Sequence, residues 1–424
     1  WSSGAQVLPP HDKAIIDRVM SCEEIRCTPF DEAVADGKVE FVTAEVDAAF
    51  LDVAKAQAFE GSREVKILYT PLHGVGAEAV MPLLQADGFQ SVEVYGPHAE
   101  KSGDFPNVPG HVSNPENTKV FDAPIAYASE NAFELILATD PDCDRLGVAA
   151  PKTLDPSGEW GTFNGNQIGA LLADYILRKR SDAGSLSPDH YIVKTLVTTE
   201  LIRSIAEKHS VRCVGDLLVG FKHIAAAMDE NGPDKFVFGT EESHGYLVGQ
   251  YCRDKDGAVA CMLLSELAAD LKAKGVSMHD HLASLYREHG FHQEYLINLF
   301  MEGSEGMAAM QRLMTAFRQS PPESLAGMKI TRIRDYLHSE VTDVSTGEKS
   351  ALGDPVGNLI IMELAESGNY VAARPSGTEP KIKLYVFTKL DRDQSQDLPA
   401  AEKQLGERLS ALESDMRAFA KTNS

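Results

Sequence analysis

From residue 64 onward, short β-rich apolar runs alternate with longer stretches whose apolar residues recur at helical spacing. "VKILYT" (65–70) reads as a strand, followed by a loop and a helix over 77–87 that Gly88 closes. "SVEVYG" (91–96) and "FELILAT" (133–139) are the next strands, and 164–180 is a long helix with an asparagine N-cap. Ser and Gly at 181–189 mark a linker. A second series follows: strand "HYIVKTLV", helix 198–210, strand "VRCVGDLL", helix 221–232 and strand "KFVFGTEE". The helix over 257–275 is apolar nearly all round, which predicts burial on every side. After 284–291 the pattern changes to strand "EYLINLF", helix 307–319, strands "NLIIMEL", "NYVAAR" and "KIKLYVF", and a final helix over 399–421. That ordering predicts two α/β units followed by an α+β unit. The first sixty residues offer only a helix after a cap at Asp12 and another over 45–59, and read as the remnant of a further domain. The expected divisions are 1–62, 63–186, 187–291 and 292–424.

The chain has 424 residues and a net charge of −23. A surface this acidic speaks against nucleic acid or an anionic membrane as the main partner, while leaving room for a cationic pocket that takes a small anion. No apolar run approaches the ~20 residues of a bilayer span, and the opening "WSSGAQVLPP" has no signal-peptide pattern. The six cysteines are scattered without a CxxC pair, which suits a reduced, cytoplasmic setting. Cys22 and Cys27 could be half of a zinc site, but no second pair follows.

Candidate chemistry lies in four places. "ATDPDCDRLGV" (138–148) carries Asp140, Asp142 and Asp144 at alternate positions. In an extended stretch these would share a face, with Pro141 and Cys143 pointing away. Three carboxylates suit Mg²⁺. An EF-hand is excluded by Arg145 and Pro151 at the positions that need Gly and Glu. An aspartyl-nucleophile phosphatase would want Thr or Val where Asp144 stands. In "GTEESHGY" (239–246), Glu241 and Ser243 can share a strand face and clamp a vicinal diol. His244 reads either as a general base or as a capped loop histidine. In "ARPSGTEPKIKLY" (373–385), Arg374, Ser376, Gly377 and Thr378 supply donors that can wrap a phosphate, with Lys381 and Lys383 adding charge. Lys194 and Lys222 sit at strand–helix junctions, where a lysine can reach a ligand or water.

"TDPDCDR", "GTEESHGY" and "RPSGTEPKIKLY", in this order, resemble the metal, sugar and phosphate loops of the α-D-phosphohexomutases, which include phosphoglucomutases and phosphomannomutases. "YTPLHGVG", "KTLVTTEL" and "GFKHI" are similar to the phosphoglucomutase-2-like branch. The resemblance implies four domains round a cleft, the first three α/β three-layer units and the fourth α+β. It implies Mg²⁺ on Asp140, Asp142 and Asp144, completed by a phosphoserine in a T-x-S-H-N-P motif that passes its phosphoryl group to a hexose phosphate. A hexose 1,6-bisphosphate then turns round and returns its other phosphate. Arg145 would lie beside the transferring group and Lys194 at the reacting centre. Glu241, Ser243 and Lys222 would meet the sugar, and Arg374, Ser376, Gly377, Thr378 and Lys383 the distal phosphate.

Two departures stand out. Val219 occupies a position where relatives often have Thr, and no T-x-S-H-N-P stretch occurs in the 424 residues. "WSSGAQVLPPHDK" resembles the family stretch that follows the serine, so an N-terminally truncated, inactive mutase is expected. A hexose-1,6-bisphosphate synthase or phosphopentomutase of the same branch, and a sugar-phosphate-binding truncation without catalysis, are the alternatives.

Overall fold

The computed structural model describes residues 1–301, 305–353, 355–376 and 381–424. It divides into two compact units, one made of Trp1–Ile168 with Gly220–Ser277, the other of Gly169–Val219 with Met278–Ser424.

In the first unit the predicted alternation builds a five-stranded sheet. Ile67–Thr70 lies between Val92–Val94 and Leu135–Thr139, parallel to both, and Leu146–Pro151 and Trp160–Phe163 continue the sheet antiparallel. Those last two strands were not anticipated, because "LGVAAP" and "WGTF" are short and show no alternation. Helix Gly257–Ala273 is buried from Gly257 through Ala269, as its all-round apolar surface predicts. Its one buried carboxylate, Glu266, accepts from Arg63 Nη2 at 2.8 Å and from the Phe59 amide at 3.0 Å, so burial leaves no unpaired charge. Gly88 ends helix Ala77–Asp87 at φ 105°, a conformation that glycine adopts without strain. Phe236–Glu241 and Gly245–Val248 form a hairpin whose last pair is Glu241 with Gly245. The first helix runs His11–Met20 with Pro10 as its N-cap, so Asp12 belongs to its first turn and is not the cap. No residue of that helix is buried, and Ile15, Ile16, Val19 and Met20 are exposed.

In the second unit, Tyr191–Lys194 and Arg212–Val214 pair in parallel. The larger body is an antiparallel sheet joining Phe291–Phe300, Lys381–Leu390, Tyr370–Pro375, Ile360–Leu364, Met328–Asp335, Glu340–Asp343 and Lys349–Ala351 in that order, so the predicted α+β character holds. Both faces of its centre are covered. Ile360, Met362, Val371, Ala373, Ile382 and Leu384 face a core that includes Leu313 and Phe317 of helix Gly306–Gln319 and Leu412 of helix Leu398–Asn423. Leu359, Ile361, Tyr370, Ala372 and Tyr385 face a second core. Successive side chains on opposite faces, both buried, explain why these strands read as unbroken apolar runs.

Candidate functional site

Strand Leu135–Thr139 delivers the aspartate loop and strand Leu146–Pro151 carries the chain away. The loop is a turn and not the extended stretch that the alternate spacing suggested. Cys143 donates its amide to Asp140 O at 3.0 Å and takes φ 61°. The amides of Asp144 and Arg145 both donate to Asp140 Oδ1 at 3.0 Å. This fold brings one carboxylate oxygen from each of Asp140, Asp142 and Asp144 within 4.8 Å of the others. Burial, reinforced by the charges of Asp144 and Asp142, pushes the Asp140 carboxyl up to about 7. A divalent cation would relieve that crowding, and three hard oxygens fit Mg²⁺. Burial raises the Cys143 thiol to about 12, so it serves as a spacer and not as a soft ligand.

Three neighbouring segments fix the loop from behind. Val75 donates its amide to Pro141 O at 2.9 Å, and a Cβ placed on Gly74 would lie 2.4 Å from Pro141 Cα. Gly257 donates to Cys143 O at 3.0 Å. Leu146 donates its amide to His244 O at 3.1 Å, and His244 Nδ1 donates in return to Leu146 O at 2.9 Å. The "GTEESHGY" turn is therefore stitched to the exit of the aspartate loop.

Two cations frame the carboxylates. Arg145 Nη1 bonds Glu116 Oε1 at 3.1 Å, while its Nε, without a hydrogen-bond partner among the described residues, lies 3.6 Å from Asp140 and 3.7 Å from Asp144. Lys255 Nζ reaches Asp144 at 2.9 Å and Asp254 at 3.1 Å. Lys255 and Glu116 escaped the sequence reading. The signal for the first was a lysine between two aspartates, "RDKDG", directly before a helix that Asp256 caps. Glu116 could have been sought as the partner of Arg145 in the proline-rich loop.

Glu241 is buried at the end of its strand. Its Oε1 accepts from the Gly220 amide at 2.8 Å, and burial raises its carboxyl despite the nearby Lys255. Ser243 lies in the turn after the strand, so the shared strand face expected for Glu241 and Ser243 does not exist. Lys222, in the first turn of helix Phe221–Asn231, pairs with Asp12 at 3.3 Å. His244 is 5% exposed and its burial lowers its pKa.

In the second unit Lys194 is fully buried and bonded to Glu200 at 2.7 Å, Thr198 O at 3.0 Å and Thr195 O at 3.3 Å. All three ammonium donors are thereby committed to the protein. Burial works against the charge of Glu200, but Lys194 and Arg203 outweigh it and hold the carboxyl down at about 2. Arg374 and Lys383 stand directly opposite each other on neighbouring strands, and neither side chain has an ion pair or hydrogen bond among the described residues. Like charges so placed repel unless an anion lies between them. Arg374 and Ser376 also line a cavity of about 580 Å³ whose other wall is helix Gly306–Gln319. Lys381 lies over the Phe300 ring. Gly377 and Thr378 lie outside the described residues.

Two sequence models of one family match the chain. Domain II of the phosphoglucomutase/phosphomannomutase family, an alpha/beta/alpha domain, matches residues 48–153, and domain III matches residues 164–289. The chain belongs to the phosphoglucomutase/phosphomannomutase family. The family resemblance is thus upheld, with the aspartate loop and the "GTEESHGY" loop inside the two matches and "RPSGTEPKIKLY" outside them. The domain II match contains the aspartate loop, and the domain III match contains Lys194, Lys222, Glu241, Ser243, His244 and Lys255. Similar curated relatives include phosphoglucomutases of Staphylococcus epidermidis, 35% identical over 329 residues, and Staphylococcus aureus, 35% identical over 327 residues. Each alignment covers 77% of this chain but only 58% and 57% of the relative, so the chain spans little more than half their length. Among solved structures, a phosphoglucomutase/phosphomannomutase family protein of Burkholderia thailandensis matches 92% of this chain and 69% of its own, at TM-score 0.56 and 16% identity. The open form of Paramecium parafusin, a phosphoglucomutase, matches 88% of this chain and 62% of its own, at TM-score 0.56 and 15% identity. These two likenesses concern the fold.

Proposed function

We propose that this chain provides the metal-binding, sugar-binding and phosphate-binding parts of a phosphosugar mutase that moves a phosphoryl group between C1 and C6 of a hexose phosphate through a bisphosphate intermediate. The observation that carries the reading is the convergence of Asp140, Asp142 and Asp144, framed by Arg145 and Lys255, in a member of this family. Asp140, Asp142 and Asp144 would hold Mg²⁺, which when bound neutralises charge on the transferring phosphoryl group. Arg145, oriented by Glu116, presents its guanidinium beside that group. Glu241 and Ser243 orient sugar hydroxyls, with Lys222 near them. Arg374, Ser376, Gly377, Thr378 and Lys383 take the distal phosphate. We place the domains at 63–186, 187–291 and 292–424, with 1–62 as part of another. Lys194 acts by organising Glu200 and Arg203, given how completely the protein satisfies it.

The 424 residues contain no T-x-S-H-N-P stretch, so on its own this polypeptide should bind without turning over. Calorimetry should find Mg²⁺ binding abolished by Asp142→Asn, and glucose 1-phosphate binding that depends on Arg374. Absence of both would refute the assignment of the site. Conversion of glucose 1-phosphate to glucose 6-phosphate by the purified polypeptide would refute its inactivity.

A further inference from the structure

Arg145 leads from the aspartate loop to a second concavity. The guanidinium that lies against Asp140 and Asp144 also holds Glu116, and Glu116 lines a cavity of about 220 Å³ together with Thr118, Phe121, Thr162, Phe163 and His244. That is below the roughly 300–1,000 Å³ of pockets that enclose drug-sized ligands, and leaves room for one small ring.

The polar groups on its walls define what it can take. His244 donates from Nδ1 to Leu146 O at 2.9 Å, which fixes the tautomer and leaves Nε2 as an acceptor. No hydrogen-bond partner meets Nε2 among the described residues, although the side chain is 95% buried by its 5% exposure. Glu116 gives one oxygen to Arg145 and keeps the other open. The hydroxyls of Thr118, at the exposed rim, and of half-buried Thr162 have no hydrogen-bond partner among the described residues, and Asn164 and Gln167 add side-chain amides to the wall. A lone pair, a carboxylate oxygen, two hydroxyls and two amides suit a ligand that brings several O–H groups, each able to donate and to accept. An anion would face the Glu116 carboxylate. A metal ion would find one carboxylate and one imidazole, short of a closed ligand set. An ammonium would meet the Arg145 guanidinium paired with that carboxylate. Phe121 and Phe163 also line the cavity and supply apolar contact for the C–H side of a sugar.

We propose that this cavity is a pocket for a neutral polyhydroxylated ring, a hexose unit, distinct from the sugar contacts proposed above for Glu241 and Ser243. The argument rests on its own donors and acceptors and holds whichever phosphosugar the main site accepts.

The test uses methyl α-D-glucopyranoside, titrated without Mg²⁺ into the 424-residue polypeptide and followed by saturation-transfer NMR. Saturable binding is expected, weakened about fivefold by Thr162→Val, the worth of one hydrogen bond. This substitution keeps a β-branched residue on strand Trp160–Phe163 and should not disturb folding. His244→Asn, which tolerates the left-handed backbone at φ 64°, should weaken binding at least as much. Inorganic phosphate should not compete. Absence of saturable binding, equal affinity in both variants, or displacement by phosphate would each overturn the proposal. If glucose 1-phosphate still binds while the glucoside does not, the pocket falls and the mutase reading stands.

Discussion

Replacing Gly74 by alanine should loosen the metal site without touching a carboxylate. The added Cβ would lie 2.4 Å from Pro141 Cα, 2.6 Å from its carbonyl oxygen and 2.8 Å from its carbonyl carbon. All three are backbone atoms, so no side-chain rotation relieves the clash. Carbon atoms pack at about 3.5–4.0 Å, so Pro141 must retreat by roughly 1 Å. Pro141 separates Asp140 from Asp142, and its carbonyl accepts the Val75 amide at 2.9 Å. Mg²⁺ demands near-ideal octahedral geometry at about 2.0–2.1 Å, so a ligand displacement of half its bond length is severe. Overpacking of this kind costs about 1–3 kcal/mol in stability. We expect Gly74→Ala to lower Mg²⁺ affinity at least tenfold, about 1.4 kcal/mol, measured by calorimetry alongside a thermal melt. Gly96→Ala is the control: nothing lies within 4 Å of its added Cβ, and both measurements should stay at the parent value. A folded Gly74→Ala protein with parental Mg²⁺ affinity would refute the reasoning.

Lys255→Met should raise Mg²⁺ affinity several-fold, because the 2.9 Å pair with Asp144 no longer competes for that carboxylate, while glucose 1-phosphate affinity falls; two calorimetric titrations separate the effects. Arg374→Ala should weaken glucose 1-phosphate binding about tenfold or more without lowering the melting temperature, since removing one of two facing cations also removes their repulsion. His292 is buried, and burial with help from Lys389 depresses its pKa to about 3. The unfolded chain takes up this proton below about 6.5 and the folded protein only near 3. Its contribution is therefore intact above pH 6.5 and eroded as pH falls towards 3, by up to ~5 kcal/mol. His292→Phe should flatten this acid limb in urea unfolding measured from pH 7 to pH 4.

The aspartate loop could be found in the sequence, but the reason given for its convergence was incomplete. Spacing of two implies a shared face only in extended chain, and here a turn closed on Asp140 gathers the oxygens. The same assumption misplaced Ser243, which the hairpin turn carries off the strand. Helices and parallel strands were legible because their apolar periods are long. Leu146–Pro151 and Gly245–Val248 were not, being short segments whose pairing depends on partners distant in sequence. Lys194 looked like a ligand group because sequence does not reveal burial. Glu200, six residues on, was the clue that it has an internal counterion.

The pair of hydrogen bonds between Leu146 and His244 has a consequence for how this site can change over time. The isolated bridge between Arg145 and Gly245 extends the same alignment by one position, so two loops a hundred residues apart share a single register. Adding or deleting one residue in either would slip the other and swing Arg145 away from its carboxylates. New sugar preferences are therefore open to exchange of side chains in "EESH" but closed to changes in loop length, and variation in length should collect in segments outside this seam.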